Sequence, residues 1–361
     1  MNKIKNSVLY RHLERHWLTV TFLLGFLTDF LLLNQIDNTI DNLTLLFYFI
    51  LATSSLLLFY VGVAEKTYAR FLPFLKQYMP LVMQYSFGGL LSGMLIFYGR
   101  SGDFWVSAPY LLLIVVIILA NELIQKRSDR LRYNLSVYFI AIFSYLVLVI
   151  PVLIGDMGPT IFIGSGLLAL VVMHLLLKAL GKIIPHFMML EKKMIVFSIA
   201  SLYVLFNTFY FLNIIPPIPL SLTELSIFQH VERTATGGYR ITKEDNFSPF
   251  SFFLWTEKFH PLSGDGAYCF ARVYAPTAIK TKVVHRWEYY DETAGWQTRF
   301  TVPYPITGEN KKGYRGYSAT DNIQNGKWRC GVETERGQVL GRKTFVVDSG
   351  VLPKNVVTVV E

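Results

Sequence analysis

Residues 134–154 read NLSVYFIAIFSYLVLVIPVLI, a stretch of 21 residues that contains no Asp, Glu, Lys, Arg or His. An α-helix needs about 20 predominantly apolar residues to cross roughly 30 Å of hydrocarbon. The stretch therefore predicts a transmembrane helix and places the chain among the membrane proteins.

Six similar stretches lie on either side of it, at 17–34, 43–63, 80–98, 107–124, 159–180 and 194–215. Together the seven predict a membrane α-helical bundle of seven spans over residues 1–215. A short proline-rich linker, 216–221, follows, and beyond it the sequence becomes polar and is punctuated by glycine. We expect a second domain over 222–348 and a C-terminal tail over 349–361.

The basic residues between the spans predict the orientation, because cytoplasmic loops retain Lys and Arg during insertion. Fifteen fall in the N-terminal tail, in every second connection or at the adjoining end of the sixth span: Lys3, Lys5, Arg11, Arg15, Lys66, Arg70, Lys76, Lys126, Arg127, Arg130, Arg132, Lys178, Lys182, Lys192 and Lys193. The remaining connections, 35–42, 99–106 and 155–158, contain only Arg100. We expect a cytoplasmic N-terminus, an uncleaved first span and a C-terminal domain on the outer side. The net charge of +9 is then a topology signal, and no nucleic-acid partner is expected.

Alternating apolar and polar residues predict seven strands in the second domain, at 223–233, 266–275, 281–290, 295–302, 313–318, 326–335 and 338–347. One apolar face per strand predicts two packed sheets. The order Cys269, Trp287, Cys330 suits an all-β immunoglobulin-like sandwich. Trp328 stands where a tyrosine corner would place Tyr, so the prediction concerns architecture and not ancestry.

Cys269 and Cys330 are the two cysteines of the chain, and both lie in the domain predicted to be exported. An oxidising compartment allows them to form a disulfide if the fold brings their α-carbons within about 7 Å. The alternative is a pair of buried free thiols, since Cys also behaves as a small hydrophobic residue.

Several short motifs resemble those of known families. Gly88-Gly89-Leu90-Leu91-Ser92-Gly93, Phe97-Tyr98-Gly99-Arg100-Ser101, Asn121-Glu122-Leu123 and Phe143-Ser144-Tyr145 resemble a family of multi-pass bacterial membrane proteins. Val284-His285-Arg286-Trp287-Glu288-Tyr289, Gly313-Tyr314-Arg315 and Gly326-Lys327-Trp328-Arg329 resemble a domain of unknown function found at the C-terminus of such proteins. The resemblance implies a Gram-negative inner-membrane protein with a periplasmic domain, and it implies no reaction.

His174, Asp29 and Glu122 are ionisable residues inside the predicted spans. A charged group in hydrocarbon is costly, so such residues are candidates for function. One interpretation makes His174 and Asp29 a proton or substrate relay. The other is structural: His174 bonds a neighbouring helix, Asp29 reaches the outer interface and Glu122 pairs with Lys126 one turn on.

Two features of the exported domain could support binding. Phe250, Phe252, Phe253 and Trp255 form an aromatic segment that suits the membrane interface, or else part of the sandwich core. Arg286, Arg299, Arg315 and Arg329 form an outward set that could contact anionic headgroups or phosphorylated glycans. Neighbouring glutamates offer the alternative of a solvated surface of cross-strand ion pairs.

Catalytic motifs such as HExxH, GxSxG and CxxC are absent from the sequence, and His285 is in phase with Val283 and Trp287, which favours a core histidine. We therefore expect a non-enzymatic envelope binding or scaffolding protein without cofactor or metal. Its partner would be a protein, a glycan or a lipid besides the bilayer itself; the sequence leaves the oligomeric state open. The alternative is a small transporter or membrane-embedded enzyme that uses His174 and Asp29.

Overall fold

The computed structural model describes residues 24, 27–29, 31, 33, 39–64, 72–123, 127–235, 237–244, 257–262, 266–276, 279–307, 313–321, 323–353 and 355–360. The chain divides into two compact units. The first comprises residues 1–99 and 108–215, and the second comprises residues 100–107 and 216–361. The predicted order, a helical N-terminal part followed by a β-rich C-terminal part, is confirmed.

Six helices have defined bounds: α1 Thr39–Val63, α2 Leu72–Ser101, α3 Phe104–Leu123, α4 Arg127–Ile154, α5 Pro159–Ile183 and α6 Pro185–Phe211. Residues 24, 27–29 and 31 are helical as well. Within the described residues, α1, α2, α4, α5 and α6 are long and apolar enough to cross a membrane, and α3 has a shorter apolar part, Phe104–Ile117. Both α5 and α6 begin at a proline, which suits the first turn because no intrahelical partner exists there for its missing N–H.

Helices α2 and α4 are the most buried of the five long apolar helices among the described residues. The buried share is 72% for the apolar part of α2 and 67% for that of α4, against 22% for α6. The Phe143 ring of α4 lies 5.4 Å from that of Phe162 on α5 and 5.1 Å from that of Phe206 on α6, between ring centroids. Gly166 permits this packing, because a Cβ at that position would lie 2.8 Å from Cζ of Phe143.

The second unit contains eleven described strands: β1 Ser221–Phe228, β2 His230–Arg233, β3 Tyr239–Glu244, β4 Glu257–Phe259, β5 Ala267–Tyr274, β6 Lys280–Asp291, β7 Gly295–Thr307, β8 Tyr314–Thr320, β9 Gly326–Thr334, β10 Val339–Val347 and β11 Val356–Val360. They form three sheets with the orders β1-β5-β8, β4-β10-β9-β6-β7 and β11-β3-β2. All pairs are antiparallel except β4 with β10.

Each of the seven predicted strands has a counterpart, the first being divided into β1 and β2. Three strands were not predicted: β3, β4 and β11. Strand β11 lies in the segment that was expected to be a tail, and its residues pair with β3 from Val356 opposite Glu244 to Val360 opposite Arg240. The expectation of a plain tail is therefore wrong for 356–360.

Strand β5 lies between two apolar cores because its side chains alternate. Ala267 and Cys269 belong to a buried cluster with Trp287, Trp328 and Phe345 of the five-stranded sheet. Phe270, which points the other way, belongs to a second cluster that contains Val231 of β2 and Ile241 of β3. The β unit is thus layered, with the β1-β5-β8 sheet between the other two.

Candidate functional site

A polar network crosses the interior of the β unit at His285. Its Nδ1 lies 2.9 Å from the Ser318 Oγ of β8, and its Nε2 lies 3.2 Å from the Tyr304 hydroxyl of β7. The Trp287 indole Nε1–H donates to the same Ser318 Oγ over 2.9 Å. His285 is fully buried. Its phase along the strand predicted a core histidine, and its position agrees with that prediction.

The network suits a neutral imidazole. One ring nitrogen can donate and the other accept, and both nitrogens have a hydroxyl partner. Burial lowers the pKa of His285 to about 4 because a charged ring is poorly solvated there. Burial also raises the pKa of Tyr304 above its usual range, so its hydroxyl remains protonated at neutral pH.

Cys269 of β5 and Cys330 of β9 are joined in a disulfide that links two sheets. The two sulfurs and a ring nitrogen of His285 lie within 4.8 Å of one another. Metal ligation by cysteine requires a thiolate, and a disulfide sulfur is not one. The grouping is therefore a covalent cross-link packed beside a neutral histidine.

The outward face of the five-stranded sheet carries two ion-pair groups. Glu333 accepts from the Arg286 Nε over 2.8 Å and lies 3.5 Å from an Arg342 nitrogen. Glu288 accepts from the Arg329 Nε over 2.5 Å. Only 7% of Glu288 and 3% of Glu333 is exposed, because the arginine side chains cover them.

Two aromatic side chains extend this charged group toward one end of the sheet. Tyr290 and Trp296 meet edge to face with centroids 5.2 Å apart. The Arg329 guanidinium lies 4.2 Å from the Trp296 centroid, and the Lys327 amino group lies 5.4 Å from that of Tyr290. We call the whole group the outer-face cluster; its members are Arg286, Glu288, Tyr290, Trp296, Lys327, Arg329, Glu333 and Arg342. It contains four cations and two carboxylates.

The structure separates the four arginines that were predicted to form one anion-contacting surface. Arg286 and Arg329 are in the outer-face cluster. Arg315 is on β8, in a different sheet, where its guanidinium lies 5.4 Å from the Tyr239 ring centroid. Arg299 lies at a bulge of β7, between the pairs Trp287–Phe300 and Glu288–Thr298, and covers the Tyr289 ring at 5.1 Å. The four arginines therefore do not share one sheet face, and their contact with an anion stays a prediction.

Asp29 is fully buried in the helical unit. Its Oδ1 accepts from the Tyr48 hydroxyl of α1 over 2.9 Å, and its Oδ2 accepts from the Ser92 hydroxyl of α2 over 2.5 Å. Gly89 allows this arrangement, because a Cβ there would lie 2.6 Å from Cε2 of Tyr48. The expectation that Asp29 reaches the outer interface is wrong.

The remaining predicted site residues differ in how far the structure describes them. His174 is exposed on α5, whereas Asp29 is buried with Tyr48 and Ser92 as partners, and the relay stays a prediction. Glu122 lies in the last turn of α3, but its side chain is outside the part of the chain that the structure describes. Phe250, Phe252, Phe253 and Trp255 are also outside the described residues, and the choice between interface and core stays a prediction.

Sequence reasoning missed the hydroxyl partners of Asp29. It also missed the aromatic end of the outer-face cluster. Ser92 and Gly89 fall in the stretch 88–93, whose small residues permit close helix contact but give no sign of a buried carboxylate. Tyr290 and Trp296 flank an apparent hairpin turn at Asp291, and pairing across that turn, with Tyr290 opposite Trp296, brings them together. The hairpin was therefore the sequence signal from which the contact between Tyr290 and Trp296 could have been predicted.

Residues 280–347, from β6 to β10, match the family described as "Protein of unknown function (DUF2914)". The match covers the part of the chain that carries His285, Cys330 and the outer-face cluster. The chain matches no curated protein and no solved structure.

Proposed function

We propose that the chain is an inner-membrane protein of seven spans whose periplasmic β unit binds an anionic envelope partner without catalysing a reaction. The observation that carries the proposal is the outer-face cluster. It combines two aromatic rings with two more cations than carboxylates, and Tyr290 remains 39% exposed. Aromatic rings and arginine supply stacking and charge-assisted hydrogen bonds, which suits a headgroup or a charged glycan.

The state of the reactive side chains favours binding over catalysis. His285 is enclosed with both ring nitrogens engaged, and the two cysteines are cross-linked. A general base needs an unoccupied nitrogen within reach of a substrate, and His285 offers none.

Two observations support a periplasmic position of the β unit. A disulfide persists in an oxidising compartment and is rare in the cytosol, and Cys269 and Cys330 form one. Residues 100–107, which comprise the end of α2, the connection and the start of α3, belong to the β unit, and the Asp103 N–H donates to the Val339 carbonyl over 3.2 Å. The basic-residue count assigns this connection and the β unit to the same side of the membrane.

The strand order supports an immunoglobulin-like arrangement for the two sheets that share the disulfide. Strands β1-β5-β8 correspond to an A-B-E sheet, and β10-β9-β6-β7 correspond to a G-F-C-C′ sheet. Trp287, on the strand in the C position, lies in the same core cluster as the disulfide. The β11-β3-β2 sheet would then be an addition to that arrangement.

Photo-crosslinking in living cells tests the binding proposal. A photoreactive phenylalanine derivative replaces Tyr290 in the full-length chain, and the matched control replaces Tyr317 of β8, which is 37% exposed. We expect an adduct from position 290 that is absent from position 317 and is lost when Lys327→Glu reverses a charge of the cluster. Equal adducts at both positions, or none at 290, would contradict the proposal.

Asp29 supports a second candidate, a function inside the membrane, because a fully buried carboxylate among apolar helices is costly. Asp29→Asn and Asp29→Leu separate the two roles. A purely structural Asp29 predicts that Asn, which can still hydrogen-bond Tyr48 and Ser92, keeps protein abundance and cell growth normal. Leu removes the acceptor that the Tyr48 and Ser92 hydroxyls share and leaves Ser92 the Gly89 carbonyl, 2.9 Å away, so protein abundance should fall. Normal abundance of the Asn variant combined with a growth defect would favour the relay.

A further inference from the structure

Strand β11 is an unusually unprotected sheet edge. It consists of Val356, Val357, Thr358, Val359 and Val360, and all five side chains are exposed, Val360 by 63%. One edge of β11 pairs with β3, and no other described strand pairs with its second edge. Such an edge offers a row of backbone donors and acceptors to another strand.

The other sheet edges of the described β unit all carry features that discourage pairing. Strand β7 contains Pro303 and Pro305, and β1 contains a bulge at Leu222/Glu224. The remaining edges are charged or short: β2 contains Glu232 and Arg233, β4 has three residues with Glu257 and Lys258, and β8 contains Arg315. Prolines, bulges, charges and short lengths are the usual protections of an edge, and β11 has no charge, proline or bulge.

The sequence of β11 is symmetric about its centre, Val-Val-Thr-Val-Val. If two copies pair antiparallel about a two-fold axis at Thr358, then Thr358 faces Thr358, Val357 faces Val359 and Val356 faces Val360. A charged strand that pairs with its own copy often places like charges opposite each other, which is unfavourable. Strand β11 has no charged residue, so its pairing avoids this cost. The edge is therefore complementary to itself.

The two faces of the paired strands would also continue the packing already present. Thr358 Oγ1 lies 3.2 Å from Thr242 Oγ1 of β3, so two copies would form a row of four threonines. On the other face, Val359 lies opposite Ile241, a member of the second apolar cluster. Pairing would extend that cluster with valines from the second copy.

We propose that two copies of this chain associate through antiparallel pairing of their β11 strands, which joins two three-stranded sheets into one of six strands. The partner is a second copy because the sequence of the exposed edge is complementary to itself in an antiparallel pair. The edge also carries no charge that would select a different partner. The contact is independent of the outer-face cluster, which lies on another sheet.

Cysteine crosslinking of the full-length chain in membranes tests this register. The two natural cysteines are already joined, so Thr358→Cys introduces the free thiol under test. Two such residues would face each other at roughly 5 Å between Cβ atoms, and mild oxidation should give a covalent dimer. Val360→Cys is the matched control, because residue 360 would lie about 13 Å from its own copy along the paired strands, beyond disulfide reach.

Charge variants in the Thr358→Cys background test the same contact. Val357→Lys with Val359→Lys would place lysines directly opposite each other, and we expect the dimer yield to fall by about fivefold or more. Val357→Lys with Val359→Glu would place opposite charges face to face and should restore the yield. Both positions are exposed, and an intact Cys269–Cys330 disulfide reports that each variant has folded. Absence of the Thr358→Cys dimer, or equal yields from positions 358 and 360, would overturn the proposal.

Discussion

His285 shows how the environment of a single residue determines its role. Its ring is enclosed by Ser318 and Tyr304, and burial lowers its pKa from 6.5 to about 4. The unfolded chain therefore binds a proton between these two pH values that the folded chain does not bind. Stability due to this residue is complete above about pH 6.5 and decreases as the pH falls toward 4.

The pH dependence of unfolding checks this expectation. Lowering the pKa of His285 from 6.5 to about 4 corresponds to roughly 3 kcal/mol of folding stability lost by pH 4. His285→Gln cannot titrate, so the difference between wild type and variant should shrink as the pH is lowered from 7 to 4. Every other ionisable group is present in both proteins, so the comparison isolates His285. A difference that stays constant over this range would contradict the assignment of a neutral, buried His285.

Individual roles were predictable only where strand alternation determines them. The phase of His285 with Val283 and Trp287 predicted its place in the core, whereas the sequence left the pairing of Cys269 with Cys330 open. The position of Asp29 was not predictable, because its partners Tyr48 and Ser92 are 19 and 63 residues away in sequence. Long-range contacts of this kind carry no local signal.

Elements were predicted best where their periodicity is strong. The seven predicted strands alternate clearly, whereas β4 has three residues and β11 is a valine-rich strand exposed on both faces. Alternation also does not reveal which sheet a strand joins, so Arg315 on β8 was grouped with Arg286 on β6. The bulge in β7 shifts Arg299 out of the alternating pattern, and alternation alone did not reveal that bulge.

Helix α2 permits a test of close packing between helices, because it contains a buried and an exposed glycine. A Cβ at Gly89 would lie 2.6 Å from the Tyr48 ring, whereas a Cβ at Gly99 would meet no atom within 4 Å. Gly89→Ala should displace Tyr48 from Asp29 and lower the midpoint of thermal unfolding in detergent. Gly99→Ala should leave it unchanged or raise it, since Ala favours helix by up to about 1 kcal/mol. If both variants lowered the midpoint equally, the packing role of Gly89 would be refuted.

At the scale of the whole molecule, charge distribution and the composition of each part of the chain are the sequence signals that predict the most about the architecture. The change from long apolar stretches to alternating ones predicted the helical and β-rich parts, and the structure divides the chain between residues 215 and 216. The grouping of residues 100–107 with the β unit had no sequence signal, because it depends on contacts such as the bond from Asp103 to Val339.

Reporter fusions test the proposed orientation of the whole chain. A phosphatase that is active only after export should be active when it follows Glu361 or Asp103, and inactive when it follows Arg130. The physical reason is the retention of Lys and Arg on the cytoplasmic side: Lys126, Arg127, Arg130 and Arg132 flank the third site, whereas Arg100 alone lies near the second. A reporter that fluoresces only in the cytoplasm serves as control and should give the reverse pattern. Activity after Arg130 and none after Glu361 would invert the topology, and the disulfide between Cys269 and Cys330 would then face a reducing compartment.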